Sequence, residues 1–424
     1  MRTGLQGLTT RGRSFLAAGI TAASAAAVLG QPGLSRIGLL LAVLPLLCAF
    51  VVGRTRVSLR LERTVQPLLV AASQPAEVRL TLHNEARRST GLLLLEERIP
   101  YALGTRPRFV VDGLKGGQTT SVTYTVRSDV RGRFEIGPLA VRIQDPFGMI
   151  ELERQVPGSI PLVVTPRTVP LPDIPVGGVW VGAGDNRPRA FATGSAEDVT
   201  VRDYRIGDDL RRVHWRSSAR RGELMVRREE QPWQSRATVL VDNRTTAHRG
   251  TGPASSLEAA VLHAASIATH LTRSGFEVRL VTADGSDHAQ AWHDRAVPQS
   301  TATVLEALAV MQQTRRPHLS TDWLVEQHRD ALLIAVLGHL DDHDHAALRR
   351  MRLHGSHPLA LALEVEQWHG RAEGSGGGGA AWLTGLGWTA VPVAPGDSLP
   401  SLWQELGRRA GRRPGEHVRS GGTR

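Results

Sequence analysis

The chain has 424 residues, 41% of them hydrophobic, and a formal net charge of +11. That length fits two or three domains with sizeable cores, and the positive excess favours contact with lipid headgroups, nucleic acid or phosphates. Lys115 is the only lysine and Cys48 the only cysteine, which excludes an intrachain disulfide and any multi-cysteine metal site.

Two uncharged apolar runs, 14–30 and 37–53, come first in the chain, joined by the tight turn GQPGLSR. Each is about 17 residues long, the low end for a helix crossing the hydrocarbon core of a bilayer. They predict a transmembrane hairpin over 1–56. A signal peptide fits less well, because a second span follows at once and no clean small-x-small cleavage site is evident. Arg2, Arg11 and Arg13 precede the first run, Arg36 alone lies in the loop, and Arg54, Arg56, Arg60 and Arg63 follow the second. The excess of arginine outside the loop predicts a two-pass protein of the cell membrane, with both termini and the soluble domains in the cytoplasm.

Residues 57–170 read as a β-sandwich. VSLRLERTV, AEVRLTLHN and TSVTYTVRS alternate apolar and polar residues, the pattern of half-buried strands. PLAVRIQDPFGMIELERQV predicts two strands around a turn at Asp145-Pro146-Phe147-Gly148. Residues 171–235 comprise a Pro- and Gly-rich linker (171–186) and an arginine-rich motif. From 236 to 409, strands and helices alternate: RATVLVDN, SLEAAVLHAASIATHLTRSG, FEVRLVTADG, STATVLEALAVMQQ, ALLIAVLGHL, HDHAALRRMRLHG, PLALALEV, WTAVPVAP and SLPSLWQELGRRA. That alternation predicts a mostly parallel sheet with helices on both faces. GSGGGG (374–379) is expected to be a flexible loop, and residues 410–424 a basic disordered tail. The fold class is a membrane-anchored α+β multidomain protein.

Three groups could carry chemistry. Asp242 ends the first strand of the α/β region, at the edge where open parallel sheets bind ligands. A von Willebrand A-like domain begins with such a strand and holds a divalent cation through Asp-x-Ser-x-Ser. The matching positions here are Asp242, Arg244 and Thr246, and only Thr246 keeps a hydroxyl. Arg244 puts a cation where a hard metal ion needs oxygen, so the site is expected to be degenerate, with no metal. Asp242 is then free to pair with Arg244 or to cap backbone N–H groups. HLDDHDH (339–345) looks like a metal cluster, but Asp341 and Asp342 also make good helix starts, and the cap is the favoured reading.

The third group is RIGDDLRRVHWRSSARRGELMVRREEQP (205–232). As an enzyme it offers His214 as a base oriented by Asp208 or Asp209, with Arg211, Arg212 and Arg216 clamping phosphate. As a nucleic-acid or anionic-lipid binder it interleaves arginine with Tyr204 and Trp215. As a scaffold it makes a turn at Gly207-Asp208-Asp209, buries Val213 and Trp215, and forms a strand from GELMVRREE. On spacing, with five acidic residues available to pair with the eight arginines, the scaffold ranks first, an anion site second and catalysis third.

Residues 193–232 closely resemble the signature of the bacterial domain-of-unknown-function family 58. The residues that carry the resemblance are Gly194, Glu197 or Asp198, Arg202, Asp203, Tyr204, Gly207, Asp208, Arg212, His214, Trp215, Ser218, Ala219 and Arg220. RGRFEIGPLAVRIQDPFGMI (131–150) is similar to the β-region that precedes the signature in that family, and the two spans and the von Willebrand A-like end fit it as well. The resemblance implies a membrane-anchored partner of a MoxR-type AAA+ ATPase, often found near transglutaminase-like membrane proteins. It implies an adaptor or scaffold in envelope assembly or stress, without catalytic residues, cofactor or specific nucleic acid. The bilayer is the other expected partner.

Overall fold

A computed structural model of the chain describes residues 7–54, 58–87, 89–145, 147–174, 199–203, 215–229, 236–287, 300–326, 332–354, 358–369 and 378–411. The chain divides into two compact units, Met1–Arg167 with Leu305–Met311, and Thr168–Val304 with Gln312–Arg424.

The first unit opens with helices α1 (Thr10–Leu29) and α2 (Pro32–Arg54). Both are long and apolar enough to cross a membrane by length and composition. The Thr9 side chain caps α1 by accepting from the Gly12 N–H, and Gly30, at φ 63°, closes it. The helices meet through glycine. A Cβ at Gly19 would lie 2.5 Å from the Ala42 backbone N, and one at Gly38 would lie 2.6 Å from that of Ala23. Small residues let the backbones approach, as in membrane helix pairs. Ser14, Thr21 and Ser24 each donate to the carbonyl four residues back, so their hydroxyls are satisfied within α1.

Among the described residues, 59–165 of that unit carry ten strands: β1 (Leu59–Gln66), β2 (Leu69–Ala71), β3 (Pro75–Asn84), β4 (Leu93–Glu97), β5 (Arg108–Val111), β6 (Thr119–Arg127), β7 (Gly132–Ile136), β8 (Leu139–Gln144), β9 (Glu151–Val156) and β10 (Ile160–Thr165). They form sheets ordered β1-β3-β6, β2-β10-β7 and β5-β4-β8-β9. The alternation read in AEVRLTLHN is realised in β3, where Ala76, Val78, Leu80 and Leu82 are all buried in the core with Leu93, Leu95, Ile136 and Leu139. An ion pair, Arg63 to Glu97 at 2.7 Å, is also buried here.

The second unit contains the antiparallel pair β11 (Val199–Asp203) and β12 (Met225–Glu229), with helix α3 (Trp215–Arg221) between them in sequence. Its main sheet has five strands, all parallel: β13 (Arg236–Val241), β14 (Glu277–Thr282), β15 (Leu332–Leu337), β16 (Leu359–Leu363) and β17 (Thr389–Val393). Helices α4 (Ser256–Arg273), α5 (Thr301–Val310, of which Leu305–Val310 belong to the first unit), α6 (His345–His354) and α8 (Leu399–Gly411) follow the expected alternation, whereas α7 (Gly378–Gly385) is an addition to it. The strand order is β14-β13-β15-β16-β17. The chain steps outward from β13 to β14, then returns past β13 to β15. This reversal opens a crevice at the carboxyl ends of β13 and β15, where sheets of this kind receive ligands.

One expectation is corrected here. Gly378 and Gly379 are not loop; they start α7, whose Ala380 and Leu383 are buried against the sheet core and stabilise a helix that its glycines disfavour. Residues 171–174, at the start of the expected linker, pack on α8. Trp403 on α8 is fully buried and its Nε1–H donates to the Pro172 carbonyl at 3.1 Å. A Cβ at Gly407 would lie 2.8 Å from Ile174 Cβ. Residues 175–198, the remainder of that linker, lie outside the described residues.

Candidate functional site

The Asp242 backbone follows β13 directly and its N–H donates to the Val336 carbonyl of β15 at 2.9 Å, which sets the residue in the crevice. Arg244 lies two residues on. It is 1% exposed, among the largest buried side chains of the chain. Its Nε donates to Asp242 Oδ1 at 3.0 Å and Nη2 to Asp242 Oδ2 at 2.9 Å, a bidentate pair. From the other side Nη1 donates to Asp344 Oδ1 at 2.8 Å and Nη2 to Asp344 Oδ2 at 3.1 Å. The Pro317 carbonyl accepts from Nη1 at 3.0 Å and the His339 carbonyl from Nη2 at 3.3 Å. Every nitrogen of the guanidinium is engaged. Burial works against its charge, but the hydrogen bonds and charges of Asp242 and Asp344 outweigh it and hold the group charged well beyond the ordinary arginine range.

The surrounding loops are built to hold this clamp. The Arg244 N–H donates to Asp242 Oδ1, an Asx-type turn. Asn243 Nδ2 donates to the Gln312 carbonyl at 2.8 Å, and its Oδ1 accepts from the Ala283 N–H. His248 is buried and burial lowers its pKa, so the ring is neutral. Its Nε2 faces the Asp242 carbonyl, which can only accept, so Nε2 carries the proton and Nδ1 accepts from the Ser256 hydroxyl. Gly338 passes so close to Ala247 that a Cβ there would lie 2.1 Å from the Ala247 carbonyl oxygen. The His339 N–H donates to that same oxygen at 2.8 Å.

Asp242 and Arg244 are thus brought together as their spacing suggested. Thr246 is not: it is exposed on a short 3-10 turn (Thr245–Ala247), and its carbonyl accepts from Arg249 Nη1. The residues do not fit a divalent cation. The guanidinium lies between the carboxylates that would be ligands and engages four of the oxygens of an oxygen cage together with two carbonyls. Among the described residues no group of three or more His, Cys, Asp or Glu could hold a metal ion. In HLDDHDH, Asp341 caps the following turn by accepting from the His343 N–H at 2.9 Å. Asp344 closes the capping box through the Asp341 N–H and grips Arg244 at the same time. Sequence reasoning did not single out Asp344 for the clamp. Its only signal was an aspartate three residues after a helix cap, at the sheet edge facing Asp242.

The signature motif is described only in part. Gly194, Tyr204, Gly207, Asp208, Asp209, Arg212, Val213 and His214 lie outside the described residues. Arg202 and Asp203 belong to β11, opposite Val226 and Met225 of β12, so the strand expected from GELMVRREE is present at 225–229. Residues 215–221 are helical, and Trp215 is corrected from a core residue to a surface one, 70% exposed. It sits at the first position of a short helix whose Arg216, Ala219, Arg220 and Arg221 are also exposed. Ser218 accepts from the buried Met225 N–H at 2.8 Å, and Gly222, at φ 77°, ends the helix. The motif's Ser218 therefore ties α3 to β12 while Trp215 faces out.

Residues 200–366 match the family described as "Protein of unknown function DUF58". The DUF58 match covers Arg202 through Arg220 of the motif and all of Asp242, Arg244 and Asp344. A comparison with curated proteins finds no match. Among solved structures, a CARDB domain from Pyrococcus furiosus is 16% identical, with 26% of this chain and 93% of that one covered at a TM-score of 0.20. The alkylpurine DNA glycosylase AlkC of Pseudomonas fluorescens is 15% identical over 31% of this chain and 38% of its own, at 0.18. A putative ApaA protein from Bordetella pertussis is 13% identical over 26% and 96%, at 0.20. TM-scores this low establish no common fold.

Proposed function

We propose that the chain is a non-enzymatic, membrane-anchored adaptor that works with a MoxR-type AAA+ ATPase in envelope assembly or stress, and in some settings beside a transglutaminase-like membrane protein. The observation that carries the non-enzymatic reading is Arg244. The crevice where an α/β sheet of this order would bind a ligand is filled by a side chain whose donors are all used, and its carboxylates are committed to that side chain. The neighbouring His248 is neutral and held by the Asp242 carbonyl and Ser256. The likeness to a von Willebrand A-like domain with its metal site lost is part of this proposal.

The partner surface is α3. An exposed tryptophan beside Arg216 and Arg220 has the composition of an interaction hot spot. The hairpin α1–α2 supplies the anchor, and the arginine distribution favours the cytoplasm for both soluble units. A reporter fused after Arg424 should then be active in the cytoplasm, and periplasmic activity would overturn the topology. For the partner, the tagged full chain is recovered from native membranes with ATPases locked by a non-hydrolysable ATP analogue. A MoxR-type ATPase should co-purify in the locked state and be lost with Trp215→Ala. Absence of any such ATPase in the locked state would refute the partnership.

A further inference from the structure

The turn between β8 and β9 is bolted to one end of the hairpin. The Thr9 hydroxyl donates to the Gly148 carbonyl at 2.7 Å, the Thr9 N–H to the Met149 carbonyl at 2.9 Å, and the Glu151 N–H to the Gly7 carbonyl at 2.8 Å. Gly12 abuts the turn so closely that a Cβ there would lie 2.3 Å from the Met149 oxygen. Met149 and Ile150 are buried in one apolar cluster with Cys48, Ala49 and Val52 of α2. The turn itself is braced by Asp145, which accepts from the Phe147 and Ile150 N–H groups.

These contacts fix a depth. The candidate spans run Thr10–Leu29 and Pro32–Val52, and 20 residues of helix cover about 30 Å, the thickness of the hydrocarbon core. Met149 and Ile150 therefore lie level with the last turn of one span and the first turn of the other. Phe147, two residues from Met149, is 58% exposed. Arg11 and Arg13 are exposed on that first turn, and a Cβ at Gly148 would lie 3.7 Å from Arg11 Nη1. An exposed phenylalanine beside arginines, level with the end of a span, matches the pairing by which interfacial segments hold the headgroup/acyl boundary of a bilayer.

We propose that this turn is an interfacial foot that places Phe147 in the lipid headgroup layer beside the hairpin and holds the β-unit against the bilayer. The inference rests on the membrane insertion of α1 and α2. Its test uses the full chain in phosphatidylcholine–phosphatidylglycerol vesicles with Cys48→Ala as background. Single cysteines replace Phe147, Val43 in the middle of α2, and Tyr101, and each carries a bimane label. Tyr101 is 95% exposed and follows the Glu97 end of β4, which the register places beside Leu139, the end of β8 away from Phe147. Lipids brominated at shallow and deep acyl positions quench labels within reach. The expected result is quenching at 43 by deep bromines, and at 147 by shallow bromines several-fold above the level at 101. Quenching at 43 with none at 147 overturns the foot and leaves the hairpin standing. No quenching at 43 or 147 overturns both.

Discussion

Arg244 and Asp344 stand 100 positions apart and meet through two hydrogen bonds of 2.8 and 3.1 Å, joining the loop after β13 to the start of α6. With Asp242 on the other side, one positive group is shared by two carboxylates that are both fully buried. Such clusters are poor evidence of net stability, but breaking one leaves buried charge uncompensated.

Arg244→Ser should therefore destabilise the protein by about 3–5 kcal/mol. It should also uncover an oxygen-lined space between Asp242 and Asp344, with the Pro317 and His339 carbonyls at its rim. Hard divalent cations take such ligands, so millimolar Mg²⁺ or Mn²⁺ should raise the melting temperature of the variant and leave the wild type unchanged. Thermal unfolding with and without cation measures both. Equal cation effects on the two proteins would show that the guanidinium is not the occupant of a cation position.

The strands and helices of the α/β unit were legible because their patterns are strong. RATVLVDN is an apolar run with an aspartate at its end, and β13 and Asp242 lie where it put them. The pairing of Asp242 with Arg244 was also open to sequence reading, since the two are close in the chain. Asp344 was not. Its partnership depends on the strand order that sets β15 beside β13, which no local pattern encodes. The same holds for Trp215: an aromatic residue in an alternating stretch reads as core, but a seven-residue helix turns it outward. Helix α7 was hidden because glycine signals a loop, while the burial of Leu383 that stabilises it is a tertiary fact.

Gly338→Ala should cost about 1–3 kcal/mol, the range for overpacking a closed site. Its Cβ would meet the Ala247 carbonyl at 2.1 Å, and relief by moving the 338–339 backbone would pull the His339 carbonyl from Arg244. Urea unfolding measures the loss. A neutral substitution would show that this strand end shifts freely.

His263 on α4 is 6% exposed, and its Nδ1 has no hydrogen-bond partner among the described residues. Burial lowers its pKa to about 4, only partly opposed by Asp397. The fold resists a proton that the unfolded chain accepts. Stability is thus complete above the ordinary histidine value of 6.5 and falls as pH drops toward 4, by up to about 1.4 kcal/mol per pH unit for this one proton. His263→Leu should flatten that slope in denaturation series between pH 4 and 7. An unchanged slope would place the acid sensitivity elsewhere, with His248 the next candidate because its pKa is lowered in the same direction.

Trp215→Ala should change stability by no more than about 0.5 kcal/mol, as for other exposed positions, and yet fail to complement a deletion strain if α3 is the partner surface. His214→Gln should fold and complement, because an adaptor has no need of an acid–base group there. Thermal melts and complementation of both variants separate the readings. A well-folded His214→Gln protein that still binds its partner and lacks function would put the phosphate-handling enzyme first.

An ion held at the end of a strand exchanges with the solution, so a domain that uses one can be loaded, emptied or starved by its surroundings. The charge on Arg244 is tethered by its own backbone and has no dissociation constant. The carboxylates at this strand end are therefore closed to cations from solution, and chelators should leave the loop after β13 unchanged.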